Sequence, residues 1–98
     1  MTINKEVNDS KLNIALVGRL DTTTSPELEK ELKESLDDIR ELVFDFTQLE
    51  YISSAGLRVL LAAQKTMNKQ GSMTVCNVNE TVMEVFEVTG FVDLLTIV

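Results

Sequence analysis

A chain of 98 residues, 44% hydrophobic but only 5% aromatic and without Trp, fits one domain filled by an aliphatic core. A single Cys excludes an intramolecular disulfide, and the lack of His argues against a zinc or haem site, so neither metal nor cofactor is expected. The net charge of −7, with nine scattered Lys and Arg, argues against nucleic acid and anionic membrane surfaces as partners.

No apolar run approaches the ~20 residues of a membrane span. Met1-Thr2-Ile3-Asn4-Lys5 lacks the apolar core of a signal peptide. The expectation is a cytoplasmic protein.

Taken in order, residues 2–8 read as a short first strand. In residues 11–17, Leu12, Ile14 and Leu16 alternate with Asn13 and Ala15, the pattern of a half-buried strand. Asn8-Asp9-Ser10 is turn chemistry, which makes residues 2–17 a candidate hairpin. Gly18-Arg19-Leu20-Asp21 is expected to end the strand. Thr24-Ser25-Pro26-Glu27 reads as a capping box, with Thr24 as the cap and Glu27 reaching back. Leu28, Leu32, Leu36 and Ile39 follow at helical spacing.

Leu42-Val43-Phe44-Asp45-Phe46 is a near-continuous apolar run, which suits a central strand covered on both faces. Asp45 interrupts it, as a carboxylate reaching solvent or a nearby backbone donor. From Ala55 a largely buried helix is expected, with Leu57, Leu60, Leu61 and Met67 on one face and Val59, Ala62 and Ala63 widening it. Lys65 and Lys69 suit its C-terminal half, and Gly71 a left-handed C-terminal cap.

Residues 74–78 read as an inner strand, with Cys76 as a small apolar core residue. Asn79 caps a third helix, Val78 and Met83 form a hydrophobic staple, and Val82, Val85 and Phe86 form the buried stripe. Gly90 ends that helix, with Phe91 folding back on Phe86. Residues 94–98 are a candidate edge strand. This alternation predicts a single α/β domain over residues 1–98, with a mixed, mostly parallel sheet and helices packed on it.

The chemistry concentrates at Ser53-Ser54-Ala55-Gly56, where a strand turns into a helix. No glycine-rich phosphate loop and no G-x-S-x-G elbow is present, and no His stands ready to activate a serine. The chain is therefore expected not to be an enzyme. A serine here can cap the helix. A second serine is free for another role, and a helix N-terminus accommodates added negative charge. Phosphorylation there would change the surface by about two negative charges while leaving the fold intact. The C-terminal rim of the parallel strands is expected to gather Asp45, Ser54 and Asp21.

Gly18-Arg19-Leu20-Asp21, Leu42-Val43-Phe44-Asp45-Phe46 and Ile52-Ser53-Ser54-Ala55-Gly56-Leu57, in that order and spacing, resemble the STAS domain of bacterial anti-sigma factor antagonists. The resemblance runs from about Ile3 to Ile97. It implies partner switching. The unphosphorylated antagonist binds an anti-sigma factor serine kinase of the histidine-kinase-like ATPase type and releases the sigma factor. Phosphorylation of a loop serine blocks binding, and a serine phosphatase resets the cycle.

Carried over on Gly56-Leu57, the resemblance makes Ser54 the phosphoacceptor, with Ser53 as the alternative. Asp21, Thr22 and Asp45 would line the same rim, and Ser53, Ala55, Gly56, Leu57 and Arg58 would belong to the partner-binding face. The family often has Asp directly before the acceptor, where this chain has Ser53. STAS-like domains also serve transport systems, so a non-phosphorylated interaction module of a transport or other signalling complex is the second expectation.

Overall fold

The computed structural model describes all residues, Met1–Val98. Strand β1 (Thr2–Asn8) and strand β2 (Lys11–Leu20) form the expected antiparallel hairpin, with Asp9 at φ 56° in its two-residue turn. Helix α1 (Ser25–Ser35), strand β3 (Glu41–Ile52), helix α2 (Ser54–Gln70), strand β4 (Ser72–Cys76) and helix α3 (Glu80–Thr89) follow. A single 3-10 turn (Phe91–Asp93) precedes the C-terminal segment.

The sheet order is β1-β2-β3-β4, with β2, β3 and β4 parallel. Two right-handed crossovers that step the same way across a sheet place both helices on one side. Burial agrees. Leu12, Ile14 and Leu16 of β2, Leu42, Phe44 and Phe46 of β3, and Met73 and Val75 of β4 are buried and join one core with residues of all three helices. On the opposite face, Asn13, Ala15, Val43, Asp45, Thr74 and Cys76 are only half-buried. The central strand is thus covered on one face, not two. Val43 and Asp45 occupy the other face, which corrects the reading of residues 42–46. Cys76 lies there as well, outside the core, where burial and then the Asp45 charge push its thiol up.

Both central strands run further than the apolar pattern suggests. β2 continues through Gly18 to Leu20, and β3 continues to Ile52. Ala15 pairs with Asp45 but Leu20 pairs with Ile52, so β3 carries two extra residues along that stretch, at register shifts near Ala15/Val17 and Gly18/Arg19. Such insertions break the period of two that sequence reading relies on. Gly18, at φ +106°, lies at one of the shifts.

The helix boundaries show similar local corrections. Thr24 has helical dihedrals and makes no side-chain cap bond. Its hydroxyl accepts from the Asp21 N–H at 2.9 Å and donates to the Arg19 carbonyl at 2.8 Å. Asp21 Oδ1 instead organises the turn before the helix, accepting from the Thr23 and Thr24 N–H groups, and α1 has no side-chain cap. Leu28, Leu32, Leu36 and Ile39 are all buried as expected. In α2, Leu57, Leu60 and Met67 are buried, whereas Ala62 is exposed. Gly71 is extended rather than left-handed, at φ 176°, and a Cβ there would collide with the Arg40 carbonyl. Close approach, not handedness, requires the glycine.

Asn79 caps α3 as expected, and Gly90 is left-handed at φ 80°. Val78 and Met83 both pack against the core. The C-terminal segment makes one parallel bridge, Ile97 to Val75, rather than a full strand.

Candidate functional site

β2 and β3 end side by side, and the chain leaves them into α1 and α2. The Ser53 N–H donates to the Leu20 carbonyl at 2.9 Å, which ties the start of α2 to the end of β2. The first turn of α2 then lies flat on these strand ends. A Cβ on Gly56 would stand 2.8 Å from both Leu20 Cγ and Ile52 Cγ1, so only glycine permits that approach. Ala55, Gly56 and Leu57 are buried in consequence. Of the residues Ala55 to Leu57 expected on a partner-binding face, none presents its side chain to solvent, because the small residues serve packing. Arg58 is exposed.

The two serines differ sharply. Ser53 holds the N-cap position, with φ −101° and ψ 177°, yet its hydroxyl makes no cap bond. Its Oγ is enclosed and has no hydrogen-bond partner. Ser54 is the first residue of the helix and is exposed.

Asp21 borders this end from the neighbouring strand. Its Oδ1 accepts from the Thr23 N–H at 3.0 Å and the Thr24 N–H at 3.1 Å. The Thr24 N–H foremost, then the Thr23 N–H, the Thr24 hydroxyl and the Arg19 charge, outweigh partial desolvation and hold this carboxyl below its ordinary value. Thr22 and Thr23 are exposed beside it. Behind them the Arg19 guanidinium lies 4.5 Å from the Tyr51 ring centroid. The register that pairs Arg19 with Tyr51 creates this contact, and no spacing in the sequence announces it.

Asp45 does not join the group. Leu20, the partner of Ile52, lies five β2 residues beyond Ala15, the partner of Asp45. At about 3.3 Å per residue, Asp45 is ~16 Å back along the sheet. It sits on the uncovered face, where Asn77 Nδ2 donates to it at 3.0 Å and the Thr47 N–H at 3.0 Å, joined by the Thr47 hydroxyl. The Asn77 bond, then those from Thr47, hold its carboxyl below the ordinary value. The expected common rim fails for Asp45 because β3 continues well past it. The assembled group is Asp21, Thr22, Ser53, Ser54 and Arg58, with Thr23 added.

A groove of about 360 Å³ between α1 and α2, lined by Leu32, Leu36, Val59 and Ala63 among others, includes none of these residues. No helix is long and apolar enough to cross a membrane.

The family model for the STAS domain matches residues 2–98. The chain belongs to the STAS domain family. A Bordetella bronchiseptica relative, BtrV, provisionally named an anti-sigma factor antagonist, is 35% identical over 99 residues, covering 99% of this chain and 85% of BtrV. An anti-sigma factor antagonist from Mycobacterium paratuberculosis superimposes with a TM-score of 0.88 at 24% identity, over 98% of this chain and 83% of that one. The Bacillus cell fate determinant SpoIIAA, in its phosphorylated form, superimposes with a TM-score of 0.77 at 18% identity, over 99% of this chain and 91% of that one. The two structural likenesses show the shared fold. In this STAS domain the strand-to-helix junction at Ser53-Ser54 is therefore the end of a four-stranded mixed sheet, with Asp21 at its side.

Proposed function

We propose that this STAS domain is an anti-sigma factor antagonist that acts by partner switching in the bacterial cytoplasm, as a binding module rather than an enzyme. In its unphosphorylated form it binds an anti-sigma factor serine kinase of the histidine-kinase-like ATPase type and so releases the sigma factor. The kinase transfers the γ-phosphate of ATP to the Ser54 hydroxyl, ADP leaves, and affinity falls. A serine phosphatase hydrolyses the phosphoserine and restores binding.

One observation carries the choice of residue: Ser54 is exposed at the start of α2, while the Ser53 Oγ is enclosed. A kinase active site must reach the hydroxyl oxygen, which only Ser54 offers without unwinding the junction. The names of the relatives support the antagonist role, and SpoIIAA supports compatibility of this fold with phosphorylation. The charge mechanism follows from position. A phosphate of about −2 beside the ionised Asp21, at a packed interface, is repelled by acidic groups and poorly solvated.

The test is incubation with the cognate kinase and ATP, followed by mapping of the modification by mass spectrometry. Label on Ser54 is the expected result. Label on neither serine removes the phospho-switch, and label on Ser53 would mean that the junction opens during the reaction.

A further inference from the structure

Arg58 follows Ser54 by one helical turn, and both are exposed. Residues four apart on a helix have Cβ atoms roughly 5–6 Å from each other. Helical side chains lean toward the N-terminus, so a side chain as long as that of Arg58 has a group on Ser54 within its reach. An acidic group placed four residues before a basic one is also the more favourable order.

Arg58 makes no ion pair or side-chain hydrogen bond; the four salt bridges all use other residues. Its helical neighbours Ser54, Ala55, Leu61 and Ala62 carry no carboxylate. Asp21 is already occupied by the Thr23 and Thr24 N–H groups and faces Arg19. Arg58 is also in the half of α2 where the helix dipole disfavours a cation, while Lys65 and Lys69 lie in the favourable half. The first turn of α2 contains no acidic residue to offset it. An unpaired guanidinium thus stands one turn from the exposed hydroxyl, in a helix that lacks the anion to match it.

We propose that Arg58 is the intramolecular partner of a phosphate carried on Ser54; this rests on the reading of Ser54 as the acceptor. The guanidinium fork matches two phosphate oxygens. Modification then changes the surface twice. It adds the phosphate, and it withdraws an exposed cation from the face offered to a partner. The phosphate is held along the helix rather than left free.

The test uses the full chain with phosphoserine installed at position 54 during synthesis, in the natural sequence and in Arg58→Gln, beside both unmodified forms. Thermal unfolding of the four proteins gives the coupling. Phosphorylation is expected to leave the natural sequence ~2–4 °C more stable, relative to its effect in Arg58→Gln. The difference should fade in concentrated NaCl as screening shortens the interaction, and Arg58→Lys should retain part of it. Equal shifts in both backgrounds overturn the proposal. Because no kinase enters this experiment, a coupling seen here with no Ser54 label from the kinase would reject the acceptor reading and leave the Arg58 contact standing.

Discussion

The N-termini of α2 and α3 are built from the same kind of junction, an extended polar residue followed by a helix, yet they are finished in opposite ways. At α3, Asn79 Oδ1 accepts from the Val82 N–H at 2.8 Å, and its Nδ2 donates to the Leu49 carbonyl at 2.7 Å. That second bond covers a backbone group of β3 left bare where β4 stops at Cys76. At α2, Ser53 caps nothing and Ser54 points outward. The first end is closed by side-chain bonds and holds structure. The second has no side-chain cap: the Ser53 N–H on the Leu20 carbonyl and the packing of Gly56 on Leu20 and Ile52 hold it, and the Ser53 hydroxyl is left without a partner. An end secured from beneath can change its outer surface without loosening the fold.

Four substitutions test that contrast. The largest effect belongs to Ser54→Asp, which should weaken binding of the kinase about a hundredfold, equivalent to ~2.7 kcal/mol, with little change in unfolding temperature. Calorimetric titration measures it, and unchanged affinity would end the charge mechanism. Asn79→Ala removes a cap and strands the Leu49 carbonyl. It should cost roughly 2 kcal/mol in denaturant unfolding, and a loss under ~0.5 kcal/mol would mean that α3 is not closed by this residue.

Gly56→Ala gains helix propensity but forces Leu20 and Ile52 aside, for a net loss of about 1 kcal/mol. A stabilised variant would show that the α2 junction is not tightly seated. The smallest effect is expected for Ser53→Ala. A hydroxyl with no partner contributes little, so stability should stay within ~0.5 kcal/mol, well short of the usual cost of losing an N-cap serine. A full cap-sized loss in that variant would contradict the open character of α2.

Asp21 extends the comparison to the turn that leads into α1, where its Oδ1 accepts two N–H groups. Its carboxyl is depressed below the ordinary value in the folded state. The stability it contributes is therefore present above the unfolded-state pKa and disappears as pH falls through the lower folded value. Asp21→Asn should flatten the acid limb of the stability profile below about pH 4, and carboxyl NMR titration should place Asp21 below a model peptide.

The α3 end was legible in the sequence because everything that makes it is local. Asn79, the apolar residues at Val82 and Phe86, and Gly90 lie within one short window, and each acts through its own backbone neighbours. The hairpin and the buried alternation of β2 were legible for the same reason. The α1 start was misread from an equally local signal: the Thr24-to-Glu27 pattern fits a capping box, but Asp21 and the Arg19 carbonyl compete for Thr24. The Arg19-Tyr51 contact and the isolation of Asp45 depend on how far β3 runs and on two inserted residues in its pairing.

By itself the sequence determined the alternation of strands and helices, the single α/β domain and the position of the serine junction, since periodicity and turn chemistry are properties of neighbouring residues. Only the tertiary structure decided which sheet face is open, that Asp45 lies away from Ser54, and that the Ser53 hydroxyl is enclosed while that of Ser54 is free. Each of those depends on register and on atoms from distant parts of the chain, and neither leaves a trace in local spacing.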